Sequence, residues 1–445
     1  MNLPNEFLEN LKNIAKHYPD GEKFLNSFTG TAFRGIRANT LKCSAQKLTE
    51  LGFADKPTPF CKSGFYIDDE FSVGNHPLHH AGAYYSQEPS ATSAVTVLDP
   101  KPHDYVLDLC AAPGGKSTQI AATLGGTGLI WSNEPVSKRA EILISNFERM
   151  GIANGVISAT MPDTLCPILE GCFDKVLVDA PCSGEGMVRK EPKAIENWSR
   201  ENVLSCANRQ LKILNSAAVT LRAGGSLVYS TCTYSYEENE GVITEFLAKN
   251  PDFYLVNIEQ DFGRQGIGMP EVRRIFTIDG GEGHFVALLK KHGNEPRNDI
   301  NFVQGKPQKD TSLIDVAYKF FKENGITLPD GTIVQKGERL YLVPNSLVAP
   351  QNVGVLRCGL LLNEPNPKRF VPSHALYMCP FVKHDSELNL TLSDPRVTAF
   401  LHGEEIDAQG FSGYTRVLIE GIACGFGKAS GGRLKNYYPK GLRTL

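Results

Sequence analysis

Two cysteines follow apolar, strand-like segments at separate places in the chain. Cys182 follows "KVLVDAP" and Cys232 follows "SLVYST". If both segments are neighbouring strands of one parallel sheet, their carboxyl ends meet at the ligand-binding edge and both thiols face one crevice. Two thiols in one crevice suit a reaction in which one forms a covalent adduct and the other helps to resolve it.

Methylation of cytosine at C5 is a reaction of this kind. The C5 carbon is too weak a nucleophile until a thiolate adds to C6 and turns the ring into an enamine. After methyl transfer, the C5 proton must leave and the thiol must be expelled. Asp179, three residues before Cys182, is placed to contact the cytosine N3 and its exocyclic amine.

A possible site for a methyl donor lies earlier in the chain. The segment "YVLDLCAAPGGKSTQIAATL" predicts a buried strand, a glycine-containing loop and a helix from about Lys116, whose N-terminus favours an anionic group. The loop lacks the dinucleotide fingerprint, and Cys110 stands where a P-loop requires glycine. Glu134 ends the next strand, in a position to bind ribose hydroxyls. This combination favours S-adenosylmethionine (AdoMet) and leaves other adenosine-type ligands open.

The order of segments predicts an α/β fold. Between residues 76 and 291, apolar strands alternate with amphipathic helices, which indicates a Rossmann-like, doubly wound sheet. Residues 1–75 read as an α+β region. The polar stretch 290–310 reads as a linker, and the last seventy or so residues read as β-rich, with a hairpin turning at Glu420 and Gly421.

The composition limits the remaining possibilities. The chain has 445 residues, a net charge of −3 and eleven cysteines. No pair of cysteines has C-x-x-C spacing, so we expect free thiols, no metal and a cytoplasmic location. We find no secretory signal and no apolar run near the roughly 18 residues that span a bilayer. Basic residues are concentrated in 411–445, which favours a polyanion-binding face there.

The motifs resemble those of the RNA cytosine-5 methyltransferases, the RsmB/RsmF/NSUN family. The similar segments are "DLCAAPGGKSTQIA", "VDAPCSGEGMVRKEP", "GGSLVYSTCTYSYEENE" and "HPLHHAGAYYSQEPSA". The resemblance implies a class I methyltransferase core with Cys232 as nucleophile and Cys182 as the residue that releases the adduct. The implied cofactor-binding residues are Ala111, Ala112, Pro113, Gly114, Gly115, Lys116, Ser117, Glu134, Arg139 and Asp179.

The tail segments "RFVPSHALYM" and "GFGKASGGRLKNYYPKGLR" resemble the bacterial RsmF branch. This implies an N-terminal RNA-binding region (1–75), the core (76–291), a first C-terminal domain (292–365) and a PUA-like RNA-binding domain (366–445). It also implies 16S ribosomal RNA or the small ribosomal subunit as partner, with S-adenosylhomocysteine as product. The RNA-binding residues expected in the tail are Arg433, Lys435, Lys440 and Arg443.

One position departs from the family pattern. Members often carry an acid near the adenine, where this chain has Thr160, with Asp163 three residues later, so no adenine contact is assigned. Three alternatives remain: a cytosine-5 methyltransferase of transfer RNA, a non-catalytic RNA-binding assembly factor, and a DNA methyltransferase. The presence of Cys232 and of the Pro-Gly-Gly loop disfavours the assembly factor, and the Thr-Cys motif disfavours a DNA methyltransferase. Only the tail argues against transfer RNA.

Overall fold

The structure, a computed structural model, describes residues 3–191, 195–196, 198–300, 312–344, 353–366 and 369–444. Its central part confirms the predicted α/β fold. The helices and strands of this part are α5 Ser93–Leu98, β5 Tyr105–Asp108, α6 Gly115–Leu124, β6 Leu129–Asn133, α7 Ser137–Met150, β7 Gly155–Ser158, α8 Pro162–Leu165, β8 Phe173–Asp179, α9 Arg200–Thr220, β9 Leu221–Thr231, α10 Glu240–Lys249, β10 Phe253–Val256, β11 Arg264–Gly266, β12 Met269–Ile275 and β13 His284–Lys291.

The N-terminal region forms a small sheet with strand order β2-β3-β1-β4. Phe7, Leu11 and Ile14 are buried at helical spacing, as expected for an amphipathic first helix. The elements of this region are α1 Asn5–Ala15, α2 Gly21–Ser27, β1 Gly35–Ala38, α3 Ala45–Glu50, β2 Lys56–Pro57, β3 Gly64–Tyr66, α4 Pro77–His80 and β4 Tyr84–Ser86.

The C-terminal part is rich in short strands, as predicted. The first group of elements is α11 Ser312–Glu323, β14 Ile326–Thr327, β15 Thr332–Lys336, β16 Arg339–Val343, β17 Val355–Cys358, β18 Leu360–Leu361, β19 Asn363–Glu364, β20 Val371–Pro372, α12 His374–Met378 and β21 Lys383–His384. The second group is β22 Glu387–Leu390, α13 Pro395–His402, β23 Ile406–Asp407, β24 Gly413–Ile419, β25 Ile422–Ser430 and β26 Arg433–Asn436. The hairpin between β24 and β25 turns at Glu420 and Gly421, both at positive φ, as predicted.

The large central sheet has the strand order β11-β12-β13-β9-β8-β5-β6-β7-β17, with β10 paired to β13. The five strands β7, β6, β5, β8 and β9 are parallel. β8 therefore lies beside β5, and β9 follows next, as predicted. The sheet is not wholly parallel, because β13 pairs with β9 and β17 pairs with β7 in antiparallel fashion.

Successive residues of the central strands point into two different apolar cores. Leu107 and Val176 belong to one core, whereas Val106 and Leu177 belong to the other. This alternation is what a sheet covered by helices on both faces requires. The second core includes Ile120 of α6, so α6 covers the face to which Val106 and Leu177 point.

The predicted linker at 290–310 is partly docked on the core. Arg297 pairs with Asp174 at 3.1 Å, and the Asn298 amide donates to the Gly171 carbonyl. These contacts fix the chain up to residue 300 against β8 and the residues just before it. Residues 301–310 lie outside the described part of the chain.

The N-terminal region and the C-terminal five-stranded sheet share one apolar core. Ile36 and Leu78 belong to the same cluster as Leu388 and Val417. Lys42 also donates across this contact to a backbone carbonyl of β25. Within the described residues, no helix is long and apolar enough to cross a membrane.

Candidate active site

The two cysteines singled out by the sequence lie side by side. Cys182 follows β8 and Cys232 follows β9, and their Sγ atoms are 3.3 Å apart. Both side chains are half-buried, so they can be reached from the crevice. The pKa of the Cys182 thiol is raised by its hydrogen bond with Cys232 and by burial, and Cys182 therefore holds its proton.

A polar scaffold fixes the two cysteine-bearing loops to each other. The hydroxyls of Ser183 and Thr233, each next to a cysteine, are 2.8 Å apart. The buried carboxyl of Glu238 accepts from the Ser183 amide at 3.0 Å and from Gln210 at 2.7 Å. Burial raises the pKa of Glu238 to about 7, although these two hydrogen bonds act to lower it. Sequence reasoning missed this role, although Glu238 lies in the motif that carries Cys232.

Asp179 lies at the end of β8 and is held by two donors. Lys116 donates to its Oδ2 and Ser230 to its Oδ1, each at 2.7 Å. Burial disfavours the charged forms of Asp179 and Lys116, but the attraction between them outweighs this effect. The pKa of Asp179 is therefore lowered and that of Lys116 is raised. Asp179 is therefore a carboxylate whose side chain remains 30% exposed to the crevice. Ser230 had not been predicted, and its alternation with Cys232 along β9 is the signal that could have found it.

Two positions of the predicted donor-binding loop favour glycine because of the loop's own backbone and packing. Gly114 has φ +116°, and a Cβ on Gly115 would lie 3.3 Å from Tyr85 and Gln87. Ser117 donates to Asp108 Oδ2 at 2.6 Å. Burial raises the pKa of Asp108 to about 7, and its Oδ1 has no hydrogen-bond partner among the described residues.

Glu134 and Arg139 are brought together at the edge of this loop. Glu134 is 3% exposed, and its carboxylate accepts from the Val136 amide at 3.0 Å. Arg139 lies 3.0 Å from the other oxygen and donates to the Ala112 carbonyl at 3.0 Å. Arg139 therefore connects the loop to Glu134, while Asn146 holds the loop through the Pro113 carbonyl. The Ala111 amide donates a hydrogen bond at 2.9 Å to the Asn133 carbonyl at the end of β6.

The position without the expected acid is occupied by protein contacts. Thr160 Oγ1 donates to the Val353 carbonyl at 2.8 Å, just before β17. Asp163 is exposed in the first turn of α8. Two exposed apolar side chains follow the ends of β6 and β7, Val136 at 52% and Met161 at 59%. Among the described residues, no group of three or more His, Cys, Asp or Glu side chains could hold a metal ion.

The N-terminal region supports the site from outside the core. The buried Arg37 donates to the Gly115 carbonyl at 3.1 Å and to Thr118 at 2.8 Å, at the start of α6. Asn10 of α1 donates at 3.1 Å to Glu185, which lies just after the Cys182 loop. The region predicted to bind RNA is therefore also a structural part of the catalytic crevice.

The four predicted basic residues of the tail differ in their surroundings. Lys435 and Lys440 are exposed, and Arg433 is exposed but donates to the Glu405 carbonyl at 3.0 Å. Arg443 donates to the Tyr438 carbonyl, and its side chain packs directly against Gly403, in the space that a Cβ there would need. Arg443 therefore has a structural role. Lys428, which had not been selected, is exposed and lies directly opposite Lys435 on the neighbouring strand.

Four family profiles match successive parts of the chain. They are the N-terminal domain of 16S rRNA methyltransferase RsmF (residues 3–89), 16S rRNA methyltransferase RsmB/F (95–290), the RsmF rRNA methyltransferase first C-terminal domain (319–379) and the methyltransferase RsmF PUA domain (387–444). Ribosomal RNA small subunit methyltransferase F of Vibrio cholerae is 33% identical over 468 residues, covering 99% of this chain and 98% of that protein. The chain belongs to the RsmB/F family, in its RsmF branch.

One more relative has the same name, and two solved methyltransferase structures match the larger part of the chain. The Shewanella piezotolerans protein of the same name is 32% identical over 472 residues, covering 98% of this chain and 96% of its own. The structure of NSun6 from Pyrococcus horikoshii with SFG has a TM-score of 0.58 at 25% identity, over 65% of this chain and 99% of that one. A methyltransferase homologue from the same organism has a TM-score of 0.56 at 28% identity, over 65% and 100% of the two chains. The methyltransferase fold and the PUA domain expected for this branch are thus confirmed.

Replacing Glu134 by alanine should weaken AdoMet binding at least about tenfold. We expect the buried carboxylate to accept from ribose hydroxyls, and each such bond to a charged group contributes about 1.5–3 kcal/mol. Titration calorimetry measures the change. Glu141→Ala, an exposed acid on α7, is the matched control and should leave the affinity unchanged. Equal affinities for the two variants would remove Glu134 from the cofactor site.

Proposed function

We propose that this protein methylates cytosine C5 in 16S ribosomal RNA of the small subunit, with AdoMet as donor and a covalent adduct between Cys232 and cytosine C6. The observation that carries this proposal is the pair of thiols 3.3 Å apart beside an ionised Asp179. Two such groups at one base suit a covalent adduct that must later be resolved. Membership of the RsmF branch supports the choice of substrate.

The protonation of Cys182 supports different roles for the two thiols. Cys182 holds its proton because its pKa is raised, and the attack on C6 is therefore assigned to the other thiol, Cys232. The new S–C6 bond places the electron pair of the C5=C6 double bond at C5. Once C5 carries the methyl group, a base removes the C5 proton, and the electrons of that C–H bond re-form the C5=C6 double bond. The S–C6 bond breaks in the same step, and its electron pair stays on the Cys232 sulfur. Cys182 lies close enough to Cys232 to assist this release.

Asp179 orients the base during these steps. Its carboxylate is fixed by Lys116 and Ser230, and its exposed part faces the crevice. A carboxylate accepts hydrogen bonds from the cytosine amino group and from N3 once N3 is protonated. This arrangement stabilises the adduct, whose N3 carries a proton, more than the free base. The target base must leave its stack to reach the thiol.

The residues present fit AdoMet, which supplies the methyl group when bound. The N-terminus of α6 and the backbone of the loop suit its carboxylate, and Glu134 suits its ribose. Val136 and Met161 are exposed apolar side chains at the ends of neighbouring strands, and they are suited to the two faces of adenine. Asp108 Oδ1 is a buried acceptor still without a partner among the described residues, as expected beside a site for a polar ligand.

RNA-binding surfaces extend the site towards the tail. Lys428 and Lys435 form an exposed cross-strand pair on the PUA domain, and the Lys428 ammonium lies 5.4 Å from the centre of the Tyr414 ring. A pair of ammonium groups beside an aromatic ring suits phosphates and unstacked bases. We propose that this surface, with Arg433 and Lys440 nearby in sequence, holds RNA while the crevice receives the target cytosine.

The proposed function is tested by transfer of labelled methyl groups. Transcribed 16S ribosomal RNA, purified small subunits and total transfer RNA are each incubated with the protein and methyl-labelled AdoMet. The expected result is label in 16S RNA, naked or assembled, located at cytosine C5 by bisulfite sequencing. Label in transfer RNA alone would favour the transfer RNA alternative. No label in any of the three would favour the RNA-binding assembly factor.

Substituting both Lys428 and Lys435 with glutamine should weaken RNA binding and reduce its salt dependence. Loss of two phosphate contacts lowers the slope of log affinity against log salt by about 1.4–1.8. Filter binding at several salt concentrations measures the slope. Lys322→Gln, an exposed lysine on α11, is the control. An unchanged slope in the double variant would assign RNA binding elsewhere. Deletion of residues 370–445 is a poor substitute, because it would expose the core shared with the N-terminal region.

A further inference from the structure

His284 is placed in the crevice by a loop that packs tightly against the Cys232 loop. The Gly186 amide donates to the Cys232 carbonyl at 2.9 Å, and a Cβ on Gly186 would lie 2.8 Å from the Gly283 carbonyl. Tyr66 of the N-terminal region donates at 2.8 Å to the Gly280 carbonyl of the same loop. These contacts fix the backbone that positions the imidazole of His284.

The register of the sheet brings His284 to the level of the nucleophile. β13 pairs with β9 so that Phe285 is opposite Thr231, and the next step beyond this pair sets His284 opposite Cys232. Val286 belongs to the core covered by α6, so the alternation of β13 turns His284 towards the same face. Asp179 lies on that face too, because its neighbour two residues earlier, Leu177, belongs to the same core.

The imidazole is buried and lacks a partner at the end that faces Asp179. His284 is 3% exposed, and its Nε2 has no hydrogen bond among the described residues. Nε2 lies 3.9 Å from Asp179 Oδ1, less than about 1 Å beyond hydrogen-bond range. Burial lowers the pKa of His284 to about 4, assisted by Lys116 and opposed by Asp179 and Glu88, so the ring is neutral. A buried polar atom without a partner is unfavourable, which favours closure of this gap.

We propose that His284 is a positioning residue for the methyl transfer, with its neutral Nε2–H as the third donor to the Asp179 carboxylate. Lys116 and Ser230 already hold one oxygen each, and His284 approaches the oxygen that Ser230 holds. Three hydrogen-bond donors restrict the carboxylate to one orientation, in which its remaining lone pairs point towards the target cytosine. This inference rests on the proposed function, in which Asp179 contacts the base.

The test compares two replacements of different chemistry. His284→Phe keeps a flat ring and removes the donor, whereas His284→Gln keeps a neutral donor. Single-turnover methylation of 16S RNA and of small subunits is expected to fall about tenfold or more in the Phe variant and to stay within about threefold of wild type in the Gln variant. AdoMet affinity should stay unchanged in both, which shows that the core is folded. His284→Leu replaces the Phe variant if that protein does not fold.

A pH profile separates positioning from proton transfer. Between about pH 6 and 9, the Gln variant should keep the shape of the wild-type profile, since a neutral donor serves throughout this range. Loss of one limb in the Gln variant, equal impairment of the Gln and Phe variants, or full activity of the Phe variant would each overturn the proposed role. Absence of 5-methylcytosine with the wild-type protein would instead overturn the proposed function itself.

Discussion

Cys232→Ala is expected to transfer methyl groups at less than about one thousandth of the wild-type rate, because no other group can add to cytosine C6. Its AdoMet affinity should be unchanged, since Cys232 lies outside the donor-binding loop. The measurement is incorporation of labelled methyl groups into 16S RNA under single-turnover conditions.

The matched control for the nucleophile is Cys61→Ala, which removes another half-buried thiol from the N-terminal region. This variant should keep wild-type activity. Substantial methylation by Cys232→Ala would show that attack on C6 does not need this thiol, and the covalent mechanism would then have to start from another group.

Asp179→Asn is expected to slow methyl transfer by about 10²–10⁴-fold. Asparagine has nearly the same shape but lacks the charge that balances Lys116 and that stabilises a protonated cytosine N3. The lost ion pair should also lower the free energy of unfolding by about 3 kcal/mol or less, because Asp179 is 30% exposed. Rates at saturating AdoMet and thermal unfolding measure the two effects separately.

Asp174→Asn provides the matched comparison at the opposite end of the same strand. Asp174 is also half-buried and paired, with Arg222 at 2.7 Å and with Arg297. This variant should lose stability but keep its rate per folded molecule. If the two variants lost activity in proportion to stability alone, Asp179 would be a structural residue and not part of the reaction.

The sequence predicted the parts of the site that depend on local pattern. Apolar runs that end in Asp179, Cys182 and Cys232 predict parallel strands, and parallel strands bring their carboxyl ends together at one edge. The pairing of β8 with β5 and β9 is confirmed for this reason. The glycine loop before α6 is likewise a local signal, since only glycine readily adopts the φ found at Gly114.

The parts that were missed depend on contacts between distant segments. The strand Val355–Cys358 had been predicted, but not its antiparallel pairing with β7, because local periodicity does not encode pairing partners. Arg443 looks like a free cation in sequence, yet its backbone contact at Tyr438 gives it a structural role. His284 and Ser230 become visible only when the register of β13 and β9 is known.

The measurement that tests the central claim most directly is a denaturing gel of Cys182→Ala with 16S RNA and AdoMet. If Cys232 attacks C6 and Cys182 helps to release the product, this variant transfers the methyl group and then remains joined to the RNA. A slow-migrating band is predicted, and it should disappear in the double variant Cys182→Ala/Cys232→Ala. A covalent band from Cys232→Ala with none from Cys182→Ala would reverse the two roles. No band from either variant would contradict the two-thiol mechanism.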